Sequence, residues 1–137
     1  MISTKGRYAI RVMAHLAERN EPTSLEEIAE RQEISLSYLK IISKVMVGGG
    51  LVEKCEDGFR LTREPSEYII GEILDLTEGS LAVVDCLAPD APPCPRAATC
   101  KTLPMWKGLN DIVHDYFHGI TLSDLVDDQC LFNNMLA

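Results

Sequence analysis

The apolar positions fall into three helical stripes, then a short alternating stretch, and later one more long stripe. Over residues 5–18, Ala9, Met13, Leu16 and Ala17 recur at helical spacing, with Ile10 and Val12 widening the face. Arg7 and Arg11 lie four apart and clear of that stripe, and Asn20 to Pro22 ends it. A short second helix begins at Thr23-Ser24, where Ser24 with Glu27, or equally Thr23 with Glu26, forms a capping pair. Leu25, Ile28 and Ala29 are its buried side, and it ends near Arg31. Ser35 caps a third helix, and Ile34 is placed to pack on Leu39. Leu39, Ile42, Val45 and Met46 point inward, while Ser37, Lys40, Ser43 and Lys44 point outward. Gly48-Gly49-Gly50 stops this helix.

Two β-prone runs follow, 51–55 and 59–62, separated by Glu56-Asp57-Gly58, a hairpin signal. Three helices and a hairpin predict a mainly α chain: a winged helix-turn-helix with a small two-stranded wing. In that layout the second helix and its turn hold the third against DNA.

Charge first opposes this reading and then supports it. The net charge of −8 argues against nucleic acid when taken whole. Residues 1–65, however, hold ten basic and ten acidic side chains, whereas 66–137 hold three and eleven. No carboxylate lies between Ser35 and Glu53, and Glu26, Glu27, Glu30 and Glu33 belong to the segment that only braces. Ser35, Ser37 and Lys40 are candidates for base edges, and Arg7, Arg11, Lys44 and Lys54 for phosphates. Ser24, Leu36, Tyr38, Ser43 and Arg60 complete the candidate double-stranded DNA surface. A protein-binding winged helix, with each lysine a solvated surface charge, is the alternative.

Residues 85–100 carry three of the five cysteines and four of the seven prolines, so they cannot form one regular element. They read as a stiff loop that aims the thiols of Cys86, Cys94 and Cys100. The gaps, Cys-x7-Cys-x5-Cys, match neither close zinc pairs nor ferredoxin spacings. Thiolates suit iron–sulfur clusters and zinc alike, and metal-free thiol–disulfide sensing or a plain structural role also fits. Cys55 reads as filler on a wing strand, and Cys130 as incidental in the acidic tail.

The last stripe starts at Pro104 and ends at Gly119. Trp106, Leu109, Val113, Tyr116 and Phe117 recur along it, and Met105 and Ile112 widen it. So wide a face predicts a homodimer, and a homodimer predicts a near-palindromic site. A short helix after Thr121, capped with Asp124, precedes the tail. The chain thus divides into a DNA-binding part (1–65), a connecting helix and cysteine loop (66–103), and a dimerisation helix with acidic tail (104–137). No stretch is apolar enough to span a membrane, and no long apolar run follows the N-terminal residues, so a cytoplasmic protein is expected. No Cys-x-x-Cys pair, glycine-rich phosphate loop or nucleophile–His–Asp signature points to an enzyme.

Several segments in order carry a resemblance. Ser3-Thr4-Lys5-Gly6-Arg7-Tyr8-Ala9, Thr23-Ser24-Leu25-Glu26-Glu27-Ile28-Ala29, Ile34-Ser35-Leu36-Ser37-Tyr38-Leu39 and Gly50-Leu51-Val52 open it. Glu78-Gly79, Trp106 and Thr121-Leu122-Ser123-Asp124-Leu125 continue it. Together they resemble the Rrf-type (IscR-, NsrR- and CymR-like) bacterial winged-helix regulators, and most of all the cluster-binding IscR-like members. The resemblance implies a dimeric transcription regulator with a two-iron or four-iron cluster on Cys86, Cys94 and Cys100. A histidine that serves some members as fourth ligand is replaced by Leu103. An aspartate of the first helix, used by others, is replaced by Arg7. His15, Cys130, Asp85 and an external thiol remain as candidates. The wing is shorter and more acidic than the family's. Tyr38-Leu39-Lys40-Ile41 stands where Tyr-Leu-Glu-Gln is usual, so an amine that donates to guanine replaces a carboxylate that accepts from cytosine.

Overall fold

A computed structural model describes residues 2–127. Helices α1 (Thr4–Arg19), α2 (Leu25–Gln32) and α3 (Leu36–Gly48) lead into a hairpin of β1 (Val52–Cys55) and β2 (Gly58–Leu61). Then come α4 (Ile70–Glu78), α5 (Leu103–His118) and a short α6 (Leu122–Val126), with 3-10 turns at Pro65–Glu67 and Asp85–Leu87.

Serine starts each of the first three helices. The side chains of Ser3, Ser24 and Ser35 accept from the backbone N–H of Gly6, Glu27 and Tyr38. Thr23 does not share the capping role. Its hydroxyl donates to the Glu21 carbonyl, and its backbone exchanges two 2.9 Å hydrogen bonds with Phe59. The start of α2 is therefore stitched to the wing. Asn20 and Glu33, both at positive φ, close α1 and α2 by returning their N–H groups to Leu16 and Ala29.

The hairpin pairs Val52 with Leu61 and Cys55 with Gly58, so the turn is Glu56-Asp57 alone and Gly58 opens the second strand. Gly58 takes a φ of 136° and lies against the Thr23 backbone, where any side chain would collide. The expected three-residue turn is shortened because the Thr23–Phe59 bridge draws Gly58 into the ladder.

One hydrophobic core joins Val12, Met13, Leu16, Ile28, Leu39, Ile42 and Met46 to Tyr68, Ile70, Ile73, Leu74 and Leu122. Tyr68 is the hinge of this arrangement. Its buried hydroxyl donates to the Leu51 carbonyl at 2.6 Å and accepts from the N–H groups of Thr62 and Arg63. After α5 the chain returns to the winged helix. Ile70 N–H donates to Ile120, and Leu122 N–H to Tyr68, each at 2.9 Å. Glu78, at the end of α4, accepts from Ser3 N–H and Ser3 Oγ, placing a carboxylate at the positive end of α1. A Cβ at Gly6 would meet that carboxylate, so a larger residue there would push the Glu78 side chain away from the start of α1.

Candidate nucleic-acid interface and thiol loop

Helix α3 turns Leu39, Ile42 and Met46 into the core and leaves Ser37, Lys40, Ile41 and Lys44 exposed. Ser43 was expected on the outward face, yet it is buried, and Val45, expected inward, is half-buried. Ser43 stands four residues after Leu39 and three before Met46, which places it on the core stripe. Its hydroxyl is satisfied within the helix by the Lys40 carbonyl at 2.8 Å, so burial leaves no polar group orphaned.

The remaining candidates separate by what they touch. Ser24 and Ser35 serve as helix caps. Leu36 and Tyr38 are half-buried, and Tyr38 meets Tyr8 edge-on at 5.9 Å. Arg11 lies over the Tyr8 ring at 5.2 Å and donates to the backbone and side-chain oxygens of Gln32. It thus ties α1 to the end of α2. Arg7 stays exposed, donating to Thr4 Oγ1. On the wing, Lys54 is exposed, while Arg60 is paired across the strands with Glu53, whose hydrogen bond holds the guanidinium proton more firmly than usual. A shallow groove of about 850 Å³ separates α3 from the wing, and Ser24, Lys40, Lys44 and Lys54 line it together with Glu26, Glu56 and Asp57.

Gln32 also donates to His15 Nδ1 at 3.2 Å. His15 is only 7% exposed and its Nε2 has no hydrogen-bond partner among the described residues. Burial first, and the nearby Arg19 second, push its pKa below the usual histidine value. His15 is thus a packing residue of the α1–α2 contact, with no free face to offer as a fourth ligand.

Cys86 and Cys94 are exposed and Cys100 is less so. Among the described residues, no three His, Cys, Asp or Glu side chains stand close enough to hold a metal ion. The donor set suits an iron–sulfur cluster in softness, with three accessible thiols on one segment and the fourth ligand still to be supplied. The segment holds them apart here. Cys100 stands just before α5. Its sulfur lies 3.4 Å from Thr102 Oγ1, and hydrogen bonds from the Thr102 side chain and from the Thr102 and Leu103 backbone lower its pKa, with a smaller contribution from Arg96. Asp85 is exposed beside Cys86. Cys130 lies outside the described residues. Cys55 is half-buried, and its thiol donates to the Gly58 carbonyl at 3.2 Å.

The long stripe of α5 splits in two. Trp106, Val113 and Phe117 are half-buried, whereas Met105, Leu109, Ile112 and Tyr116 face outward. His118 joins helices: its Nε2 meets Asp75 of α4 at 3.0 Å and its Nδ1 the His114 carbonyl at 2.8 Å. Sequence reasoning missed Gln32 and Tyr68, and it named Ile41 and Glu78 only within family-like segments, without their roles. Ile41 had a visible signal, since it lies four after Ser37 and three before Lys44, on the polar face. The other three act across long sequence separations that no local pattern reveals.

The Rrf2 family pattern, described as an iron-dependent transcriptional regulator, matches residues 2–128. The chain belongs to the Rrf2 family. It is 32% identical over 133 residues to the HTH-type transcriptional regulator IscR of Escherichia coli, covering 93% of this chain and 81% of the relative. The structure of CymR, the global cysteine regulator of B. subtilis, superposes with a TM-score of 0.76 at 32% identity, covering 93% of this chain and 96% of that one. IscR of T. potens superposes with a TM-score of 0.73 at 29% identity, covering 94% and 88%. This Rrf2 protein is a DNA-binding transcription regulator rather than an enzyme, and its winged helix is the fold of those regulators.

Proposed function

We propose that this Rrf2 regulator works in the cytoplasm as a homodimer joined through α5 and reads a near-palindromic duplex with two copies of α3. We further propose that Cys86, Cys94 and Cys100 hold an iron–sulfur cluster on which DNA affinity depends. Ser37 and Lys40, with Ser35, Leu36 and Tyr38 at the start of α3, face bases. Arg7, Lys44 and Lys54 neutralise phosphates, so affinity falls steeply with salt. Ser24, Arg11, Ser43 and Arg60 position these groups through the contacts described above. This reading retains the three-part division at residues 65 and 103.

The observation that carries the cluster reading is placement. Three accessible thiols lie on the segment that leads from α4 into α5, and hydrogen bonds from Thr102 and Leu103 lower the pKa of Cys100 at the helix start. A bound cluster supplies a redox-sensitive link among thiolates. What the chain contributes is the loop, whose closure fixes the start of α5 relative to α4. That helix, through the His118–Asp75 contact, is attached to the element that caps α1. Dimer geometry and winged-helix geometry are therefore mechanically joined, as a ligand-biased two-state element requires.

Anaerobic purification followed by visible absorbance and iron, sulfide and zinc analysis tests this. Wild type should carry iron and sulfide, and Cys94→Ala should lose them and change its DNA affinity. A colourless, iron-free protein with unaltered DNA binding would sink the cluster reading. The separation of the thiols and the lowered pKa of Cys100 would then support a cluster-free, thiol-responsive regulator.

A further inference from the structure

Ile41 is 56% exposed, in the middle of the outward face of α3. It lies beside Lys40 and one turn from Ser37 and Lys44, all exposed, on a helix without carboxylates. The exposed apolar residues of α5 form a continuous stripe suited to another helix, whereas Ile41 is flanked by Ser37, Lys40 and Lys44, and the other exposed apolar residue of α3, Val47, lies nearly two turns away at the helix end. A partner that matches this face must be anionic overall and carry a small apolar group at a fixed place among hydrogen-bond acceptors. The DNA major groove has that character: each thymine presents its C5-methyl there, next to base acceptors and between phosphates. The side chain suits the task because a β-branched residue in a helix is stiff at χ1 and loses little freedom on contact.

We infer that Ile41 is a specificity-determining residue that packs on a thymine methyl in each half-site, next to the base contacted by Lys40. The inference rests on α3 being the DNA-reading helix. It adds an apolar contact that sets which base pair is preferred, where the phosphate contacts set only affinity.

The test begins with selection of binding sites from random duplexes by the full chain. Each thymine of the selected half-site is then replaced by deoxyuridine, which removes the methyl and nothing else. Wild type should lose about three- to fivefold affinity per half-site at one thymine, the size of one buried methyl group. Ile41→Ala should bind the thymine site more weakly and be indifferent to deoxyuridine at that position. Ile41→Gln should move the preference toward adenine, which a glutamine amide binds at N6 and N7. If no thymine shows the loss, or if Ile41→Ala shows the same loss as wild type, the inference is overturned while α3 remains a DNA reader. If selection enriches no sequence, the DNA-reading role of α3 fails as well, and the face belongs to an acidic protein partner.

Discussion

Helices α1 and α5 are both sixteen residues long, and both are amphipathic. Yet α1 buries Gly6, Ala9, Val12, Met13, His15 and Leu16, whereas α5 buries no residue fully. The difference is not a shortage of apolar side chains. Met105 and Ile112 on α5 are 58% and 66% exposed, and Leu109 and Tyr116 continue the same line at spacings of four, three and four. That spacing is the seam of two packed helices. Helix α1 completes its core among the described residues, and α5 presents an apolar face that they leave exposed. The winged-helix half is thus self-sufficient in packing, and the proposed dimer would supply the packing that α5 lacks among the described residues.

The sharpest contrast comes from removing apolar groups on each side. Leu39→Ala should destabilise the fold by about 2–5 kcal/mol, as large-to-small changes in filled cores do, and urea denaturation measures it. Ile112→Asp should instead leave the folded winged helix intact and weaken dimerisation by about a hundredfold, close to 2.7 kcal/mol, because a carboxylate would have to enter an apolar seam. Sedimentation velocity decides this: an unchanged sedimentation coefficient would break the comparison, since α5 would then need no partner.

A smaller effect sharpens the first half of the contrast. Burial and Arg19 depress the His15 pKa in the folded chain, so the unfolded chain binds that proton more readily. Above roughly pH 6.5 both states are neutral and nothing is lost. As the pH falls below that value the unfolded state is protonated first, and stability declines until folded His15 titrates too. Denaturation midpoints at pH 7.5 and 5.5 should differ in wild type and differ less in His15→Gln. The smallest effect belongs to the wing. Arg60→Ala should leave the melting temperature unchanged, because its pair with Glu53 is exposed and screened by solvent.

Much of the reading half was legible in the residues. Ser24 and Ser35 cap α2 and α3 as read, and the core faces of α1 and α3 follow helical period, because capping and periodicity are local properties. Ser43 departed from that legibility for a physical reason: a hydroxyl that bonds its own helix carbonyl is cheap to bury, so its polarity says little about its side. The acidic turn at Glu56-Asp57 was visible too, but its exact length was set by a bridge to Thr23, thirty-odd residues earlier in the chain. Of the candidate phosphate contacts, Arg11 and Arg60 looked like Arg7 and Lys54 in sequence. Only the neighbours Gln32, Tyr8 and Glu53 distinguish them.

The sequence by itself determined the order of helices and hairpin, the carboxylate-free face of α3, the three-thiol segment and the apolar line of α5. Each depends on residue type at short spacing. The tertiary structure decided which side of the α5 stripe faces inward, that His118 and Tyr68 bind distant segments together, that His15 is sealed against Gln32, and that Ile41 stands exposed among lysines. Those outcomes depend on which helices meet, and packing between elements far apart in the chain sets that.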